Sequence, residues 1–241
     1  MTFKNILVIG AAGDVGQGIA GQLLHAGHHI IAAGRSADKL RFLQQRLDQA
    51  DAMKWLAGSV ETEASAAKLR EKVRSLTPQL DGVVVSVNAP VRPAAMADVD
   101  SNRLLEVLRT NLAAHLIAAR TFIPVLPADA LYLAIGGGMA DTVFPGMGLL
   151  SVCQAAQRAM FRVLAAEMQA SGVRIRELML YSMIAGESNR AVAQPKWITA
   201  DDVGRHVVAI LDHPAWFPEP ILSLKSRNDA GLPPVSQAKA S

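Results

Sequence analysis

Glycine spacing carries the clearest chemical signal in this chain. Gly10, Gly13 and Gly16 stand in the run Gly10-Ala-Ala-Gly13-Asp14-Val15-Gly16-Gln-Gly18. The apolar run Ile6-Leu7-Val8-Ile9 precedes it, and the helix-like stretch Ile19-Ala-Gly-Gln-Leu-Leu follows. Strand, glycine turn and helix together suit a pyrophosphate. Glycine lets the chain turn tightly and brings backbone N–H groups close to phosphate oxygens. The helix start adds free N–H donors and a partial positive charge. An ordinary tight turn between strand and helix explains one glycine well and three at this spacing poorly. The run therefore reads as a dinucleotide site, with Asp14 and Val15 as further neighbours of the cofactor.

Arg35 refines which dinucleotide is expected. The second apolar run ends Ala32-Ala33-Gly34-Arg35-Ser36, with no acidic residue to accept ribose hydroxyls. An arginine at this place can pair with a 2′-phosphate, so NADP(H) is expected over NAD(H). Ser36 also suits the N-cap of the following helix, and the two roles are compatible. Other reactive groups are sparse. Tyr132 and Tyr181 are the two tyrosines and Cys153 is the one cysteine. No cationic neighbour is evident to make Cys153 a thiolate, and it reads as buried and structural. His25, His28, His29, His115, His206 and His213 lack metal-ligand spacing, so no metal is expected.

Composition bounds the rest. The chain has 241 residues, 51% of them hydrophobic, which suits one α/β domain with a full core. No apolar run reaches the roughly 18 residues a membrane-spanning helix needs. A single cysteine excludes an internal disulfide and suits a reducing cytoplasm, the expected location. The formal charge of +3 comes without a basic cluster, so nucleic acid is not an expected partner.

Short apolar runs alternate with longer amphipathic stretches, the pattern of βαβ units and a parallel sheet. Strands are expected at Asn5–Ile9, His29–Ala33, Met53–Leu56, Gly82–Val87, Ala130–Ile135, Arg174–Leu180 and Ile221–Leu224. Helices are expected at Val15–Ala26, Ala37–Gln49, Glu63–Ser75, Ser101–Ile123, Gly148–Ser171 and Ala200–Leu211. Gly27 and Gly172 stand where helices should stop. The domain is expected over residues 1–225, with 226–241 a flexible tail.

Taken with these motifs, the chain resembles the short-chain dehydrogenases/reductases over roughly residues 4–225. The resemblance implies a single-domain, Rossmann-type doubly wound sheet flanked by helices. The Gly10-x-x-Gly13-x-x-Gly16 spacing resembles the extended and atypical branches, while size resembles the common branch. The resemblance places Ser59 and Val60 beside the adenine, where the family usually has an aspartate. It places Asn88 and Ala89 under the cofactor, with Pro90 in place of the family's next glycine. It assigns Asn111 to the family's helix asparagine, which bends its helix and holds a water in the proton relay.

The catalytic set departs from the family. The resemblance implies a serine, a tyrosine acid/base and a lysine one helical turn later. Between Phe144-Pro-Gly146 and Ala155-Ala156, Leu150 occupies the tyrosine position and Gln154 the lysine position. The fifth strand ends Ala134-Ile-Gly-Gly-Gly138, without a hydroxyl. Gln154 can still hydrogen-bond a ribose but carries no charge. Tyr181, at a C-terminal strand edge, is the substitute donor. Met139, Phe144, Met147, Met179 and Met183 suggest a small apolar substrate or ligand, though such methionines also fill cores. Residues 183–199 resemble the family's substrate lid.

The leading expectation is an atypical oxidoreductase acting on a carbonyl or an activated double bond. A redox-inactive nucleotide sensor or partner protein, and a non-redox lyase, isomerase or cyclase, remain open. The helices Ser101–Ile123 and Gly148–Ser171 resemble those through which the family forms homodimers and homotetramers.

Overall fold

The computed structural model describes residues 3–48 and 51–234. Seven parallel strands form one sheet in the order β3-β2-β1-β4-β5-β6-β9. These are β1 (Asn5–Ile9), β2 (His29–Gly34), β3 (Met53–Ala57), β4 (Gly82–Val85), β5 (Leu131–Gly137), β6 (Arg174–Leu180) and β9 (Ile221–Leu224). All seven fall on the expected apolar runs. A separate pair, β7 (Ile184–Ala185) and β8 (Ile198–Thr199), lies outside the sheet. Continuous apolar runs form these strands because helices cover both faces. β4 is buried at every position.

The helices are α1 (Asp14–His25), α2 (Ala37–Leu47), α3 (Glu63–Leu76), α4 (Ser101–Leu108), α5 (Ala114–Phe122), α6 (Gly148–Glu167) and α7 (Ala200–Asp212). Side-chain caps start several of them. Ser36 Oγ accepts from the Lys39 N–H at 3.3 Å, and Thr199 and Asp202 form a reciprocal capping box on α7. Gly27 and Gly172 close α1 and the turn after α6 with φ of 85° and 73°. On one face of the sheet, α1 and α7 pack Ile19, Leu23, Val203 and Val207 into a core with Val8 and Leu133. On the other, Leu69, Ala118, Phe122 and Phe161 pack against Leu7, Val83 and Tyr132.

Three expectations are corrected in detail. The helix expected over Ser101–Ile123 is two helices joined by a π-turn at Arg109–Ala113. Gly18, which the motif groups with the phosphate turn, serves helix packing: a Cβ there would meet the Ala200 backbone at 2.2 Å. The expected tail is anchored in its first part. Arg227 Nε pairs with Asp202 Oδ2 at 2.9 Å, and the Gly231 N–H donates to His206 Nδ1 at 3.2 Å. Residues 235–241 lie outside the described residues.

The sheet order places the site. From β1 the chain winds outward through β2 and β3, then returns to β4 on the other side of β1. The crevice beyond the C-terminal ends of β1 and β4 is the topological switch point, where ligands of open α/β sheets bind.

Candidate dinucleotide site

The glycine turn lies at that switch point. Gly10 has φ of 85°, and a Cβ on it would stand 2.1 Å from the Ser86 carbonyl oxygen. A Cβ on Gly16 would stand 2.1 Å from the Gly10 carbonyl oxygen. The turn's own packing therefore demands both glycines. Gly13 differs: the nearest atom to its absent Cβ is 3.4 Å away. Its missing side chain instead clears the outer side of the turn. Gly13 is also the N-cap of α1 and offers no side-chain cap, so the first N–H groups of α1 are left to an outside acceptor.

Two adjoining cavities flank this turn and share Ser86, Val87 and Asn88. The cavity on the β2–β3 side is about 250 Å³ and is lined by Gly10, Gly13, Arg35, Ser36, Ser59, Val60 and Ala89. Arg35, Ser36, Ser59 and Val60 are the residues expected at the adenosine end, Gly10 and Gly13 those expected at the pyrophosphate, and Ala89 one expected under the cofactor. Arg35 is not free there: its Nη1 pairs with Glu61 Oε1 at 2.7 Å. Ser59 Oγ accepts from the Glu61 N–H at 3.1 Å, which fixes the turn that presents Glu61.

The second cavity, about 350 Å³, brings together Val15, Asn88, Asn111, Leu150, Gln154 and Tyr181. Leu150 is buried and presents only carbon to this space. Gln154 Oε1 accepts from the Met139 N–H at 3.1 Å. Its amide occupies the room beside Gly137, where a Cβ would fall 2.4 Å from Nε2. Met139, Phe144 and Met183 line the cavity as expected. Met179 is fully buried beside Gly136, so it is core, and Met147 is not on this wall.

Asn111 sits in the π-turn and is buried. Its Oδ1 accepts from the Ala89 N–H at 2.7 Å, and its Nδ2 donates to the Val107 carbonyl at 3.3 Å. One turn on, His115 Nε2 bonds the Val87 carbonyl at 2.9 Å. Burial lowers the His115 pKa to about 4, so it is neutral and donates through Nε2. The two side chains clamp the Val87–Ala89 turn on which both cavities meet. The i, i+4 spacing of Asn111 and His115 on one helix face was the available signal for His115.

Tyr181 donates its hydroxyl proton to Asp141 Oδ2 at 2.6 Å, and Arg158 pairs with the same carboxylate. Burial, then the Asp141 hydrogen bond and charge, raise the Tyr181 pKa. Cys153 is buried, and desolvation raises its pKa, the opposite of a reactive thiolate. Ser151 points back along the helix to the Met147 carbonyl at 3.3 Å.

The reading by motifs missed Glu177, whose one signal is a charge inside an otherwise apolar strand end. It is fully buried on β6 and occupies the space a Gly136 side chain would fill. Among the described residues neither carboxyl oxygen has a hydrogen-bond partner. Desolvation drives its pKa up to about 8, against smaller opposing effects of the Gln157 amide and Arg158.

The segment that follows β6 is bonded to the start of α1, beside the glycine turn. The Ser188 N–H donates to Asp14 Oδ1 at 3.1 Å, and its hydroxyl reaches Asp14 Oδ2. Asn189 ties the segment to itself through Gly186 N at 2.9 Å and Ile184 O at 2.8 Å. Among the described residues no three His, Cys, Asp or Glu side chains are grouped to hold a metal, and no helix is long and apolar enough to cross a membrane.

Comparison with solved structures finds the same fold repeatedly. A short-chain dehydrogenase/reductase from Serratia marcescens superposes with a TM-score of 0.80 at 15% identity, over 92% of this chain and 96% of that one. A short-chain type dehydrogenase/reductase from Mycobacterium ulcerans gives 0.82 at 19%, over 92% and 89%. A citronellol catabolism dehydrogenase from Pseudomonas aeruginosa gives 0.79 at 22%, over 92% of both. At such identities the likeness speaks for the fold alone. The sequence model described as short chain dehydrogenase goes further and matches residues 4–194, from just before β1 into the segment that follows β6. With its glycine turn, sheet order and paired cavities, the chain belongs to the short-chain dehydrogenase family.

Proposed function

We propose that this chain binds NADP(H) across the two cavities and acts as an atypical reductase of a small, apolar carbonyl or activated double bond. The observation that carries the binding claim is the pair of cavities meeting at Ser86–Asn88, with the cleared face of Gly13 and the uncapped start of α1 between them. Gly10, Gly13, Val15 and Gly16 would hold the pyrophosphate, with Arg35 and Ser36 at the 2′-phosphate. Ser59, Val60 and Ala89 would line the adenine, and Asn88, Asn111 and Gln154 the nicotinamide ribose. The nicotinamide, when bound, supplies the hydride chemistry.

The protein's own part is positioning and water exclusion. Asn111 and His115 hold the turn beneath the cofactor. Leu150, Met139, Phe144 and Met183 make an apolar wall that suits an apolar substrate. Tyr181 is the proposed proton donor, but its hydroxyl donates to Asp141 instead of facing the cavity centre free. Donation to a substrate requires that bond to break, so turnover is slow relative to a site with a poised acid.

The same observation favours a second reading, a redox-inactive nucleotide sensor or partner protein. Nothing on the cavity wall activates Tyr181, and Gln154 is tied to Met139. A titration with NADPH, NADP, NADH and NAD, followed by a carbonyl screen at the cofactor absorbance, separates the readings. Binding with turnover supports the reductase; binding without turnover supports the sensor; no binding overturns both. We also propose a homodimer or homotetramer. Leu105, Leu116, Val152 and Val163 expose apolar side chains on α4, α5 and α6. A monodisperse monomer by light scattering at micromolar concentration overturns that.

A further inference from the structure

The adenosine-side cavity has three charged residues on its wall: Arg35, Lys39 and Glu61. Arg35 comes from the end of β2 and Glu61 from the turn after β3. Their 2.7 Å pair spans the corner where a 2′-phosphate would sit. Arg35 is mostly exposed and Glu61 partly so, so the pair is held by charge and by its backbone mounts, not by burial. Those mounts are firm. Ser59 pins the Glu61 N–H, and Ser36 caps α2 directly after Arg35. Arg41, the cation after Lys39 on α2, is turned to Asp38 at 3.0 Å.

We infer that Glu61 is an intramolecular competitor for Arg35 and sets how strongly the site prefers a 2′-phosphorylated dinucleotide. This rests on the dinucleotide reading above. The carboxylate is the same kind of partner for a guanidinium as a phosphate oxygen. A bound 2′-phosphate must take Arg35 from Glu61, and it then lies beside an uncompensated negative charge. A dinucleotide with a free 2′-hydroxyl leaves the Arg35–Glu61 pair intact. Glu61 therefore costs the phosphorylated ligand affinity and leaves the other almost untouched. With Glu61 ionised the wall carries a net +1; with Glu61→Gln it carries +2, still facing the phosphate.

The test measures dissociation constants of NADPH and NADH for the wild type, Glu61→Gln, Arg35→Ala and the double variant at low and high salt. Glu61→Gln is expected to tighten NADPH about tenfold and change NADH less than twofold. That gain should shrink at 0.5 M salt, where charges beyond a few ångströms are screened. Arg35→Ala should weaken NADPH, and adding Glu61→Gln to it should recover only part of the tenfold, since the competition acts through Arg35. If both nucleotides bind the wild type and Glu61→Gln leaves their ratio within twofold, the inference is overturned while the dinucleotide reading stands. If neither nucleotide binds the wild type, the dinucleotide reading falls and this inference with it.

Discussion

Glu177→Gln should stabilise this protein by several kcal/mol at alkaline pH and by only about 1 kcal/mol at pH 5. Glu177 is fully buried beside Gly136 without a hydrogen-bond partner for its carboxyl oxygens among the described residues. Burial lifts its pKa to about 8, so the folded protein holds this proton at neutral pH. The unfolded chain releases it in the ordinary carboxylate range near 4.3. Between those two values the native state binds one proton more than the unfolded state, so stability falls as pH rises. Each pH unit in that window costs about 1.4 kcal/mol. The full window is worth on the order of 4–5 kcal/mol, a large share of the ~5–15 kcal/mol that holds a typical domain together. Glutamine has the same shape and cannot ionise. The stability difference between variant and wild type should grow from about 1 kcal/mol at pH 5 to about 5 kcal/mol at pH 9. Urea denaturation at pH 5, 7 and 9 measures it, with unchanged m-values confirming that the same surface unfolds. A difference that stays flat with pH, or a variant less stable than wild type at pH 9, would refute the argument.

Further outcomes follow from the site. Gly10→Ala should cost at least about 2–3 kcal/mol in urea denaturation, because its Cβ meets the Ser86 carbonyl at 2.1 Å in a left-handed backbone. Gly13→Ala should leave stability within about 0.5 kcal/mol and weaken nucleotide binding at least about tenfold by titration. Asn111→Ala strands the Ala89 N–H and should destabilise by about 1–3 kcal/mol. Asp14→Ala unlatches Ser188, so limited trypsin digestion should cut at Arg190 or Lys196 several-fold faster, with the melting temperature nearly unchanged. Leu150→Tyr with Gln154→Lys should raise generic carbonyl reduction by about 10²-fold or more, read at the cofactor absorbance. No gain there would mean that the cavity is remodelled beyond those two positions.

Much of the framework was legible without coordinates, for reasons of local physics. Ile6–Ile9 and Gly82–Val85 read as buried strands because both faces of a parallel sheet are covered. Ser36, Gly27 and Gly172 marked helix ends because caps and left-handed stops depend only on neighbouring residues. The helix over 101–123 was legible as helical, and the resemblance implied a bend at Asn111, but not that the bend would be a π-turn. That distortion arises where Asn111 reaches out to Ala89 on another element. The anchoring of residues 226–234 was missed for the same kind of reason: Arg227 finds Asp202, a residue of α7 that composition cannot bring near.

The sequence alone determined the order of strands and helices and the three-glycine turn, and it carries the expectation that Leu150 and Gln154 stand where the resemblance puts a tyrosine and a lysine. These depend on periodicity, turn chemistry and residue identity, which act over a few residues. The tertiary structure alone decided that packing demands Gly10, Gly16 and Gly18 but not Gly13, and that Arg35 already has a partner in Glu61. It alone turned the Tyr181 proton toward Asp141, latched Ser188 onto Asp14 and buried Glu177 behind Gly136. Each of those outcomes is a contact between elements far apart in the chain. Charge pairing and desolvation are set by the neighbours that the sheet order supplies, and a linear pattern does not contain them.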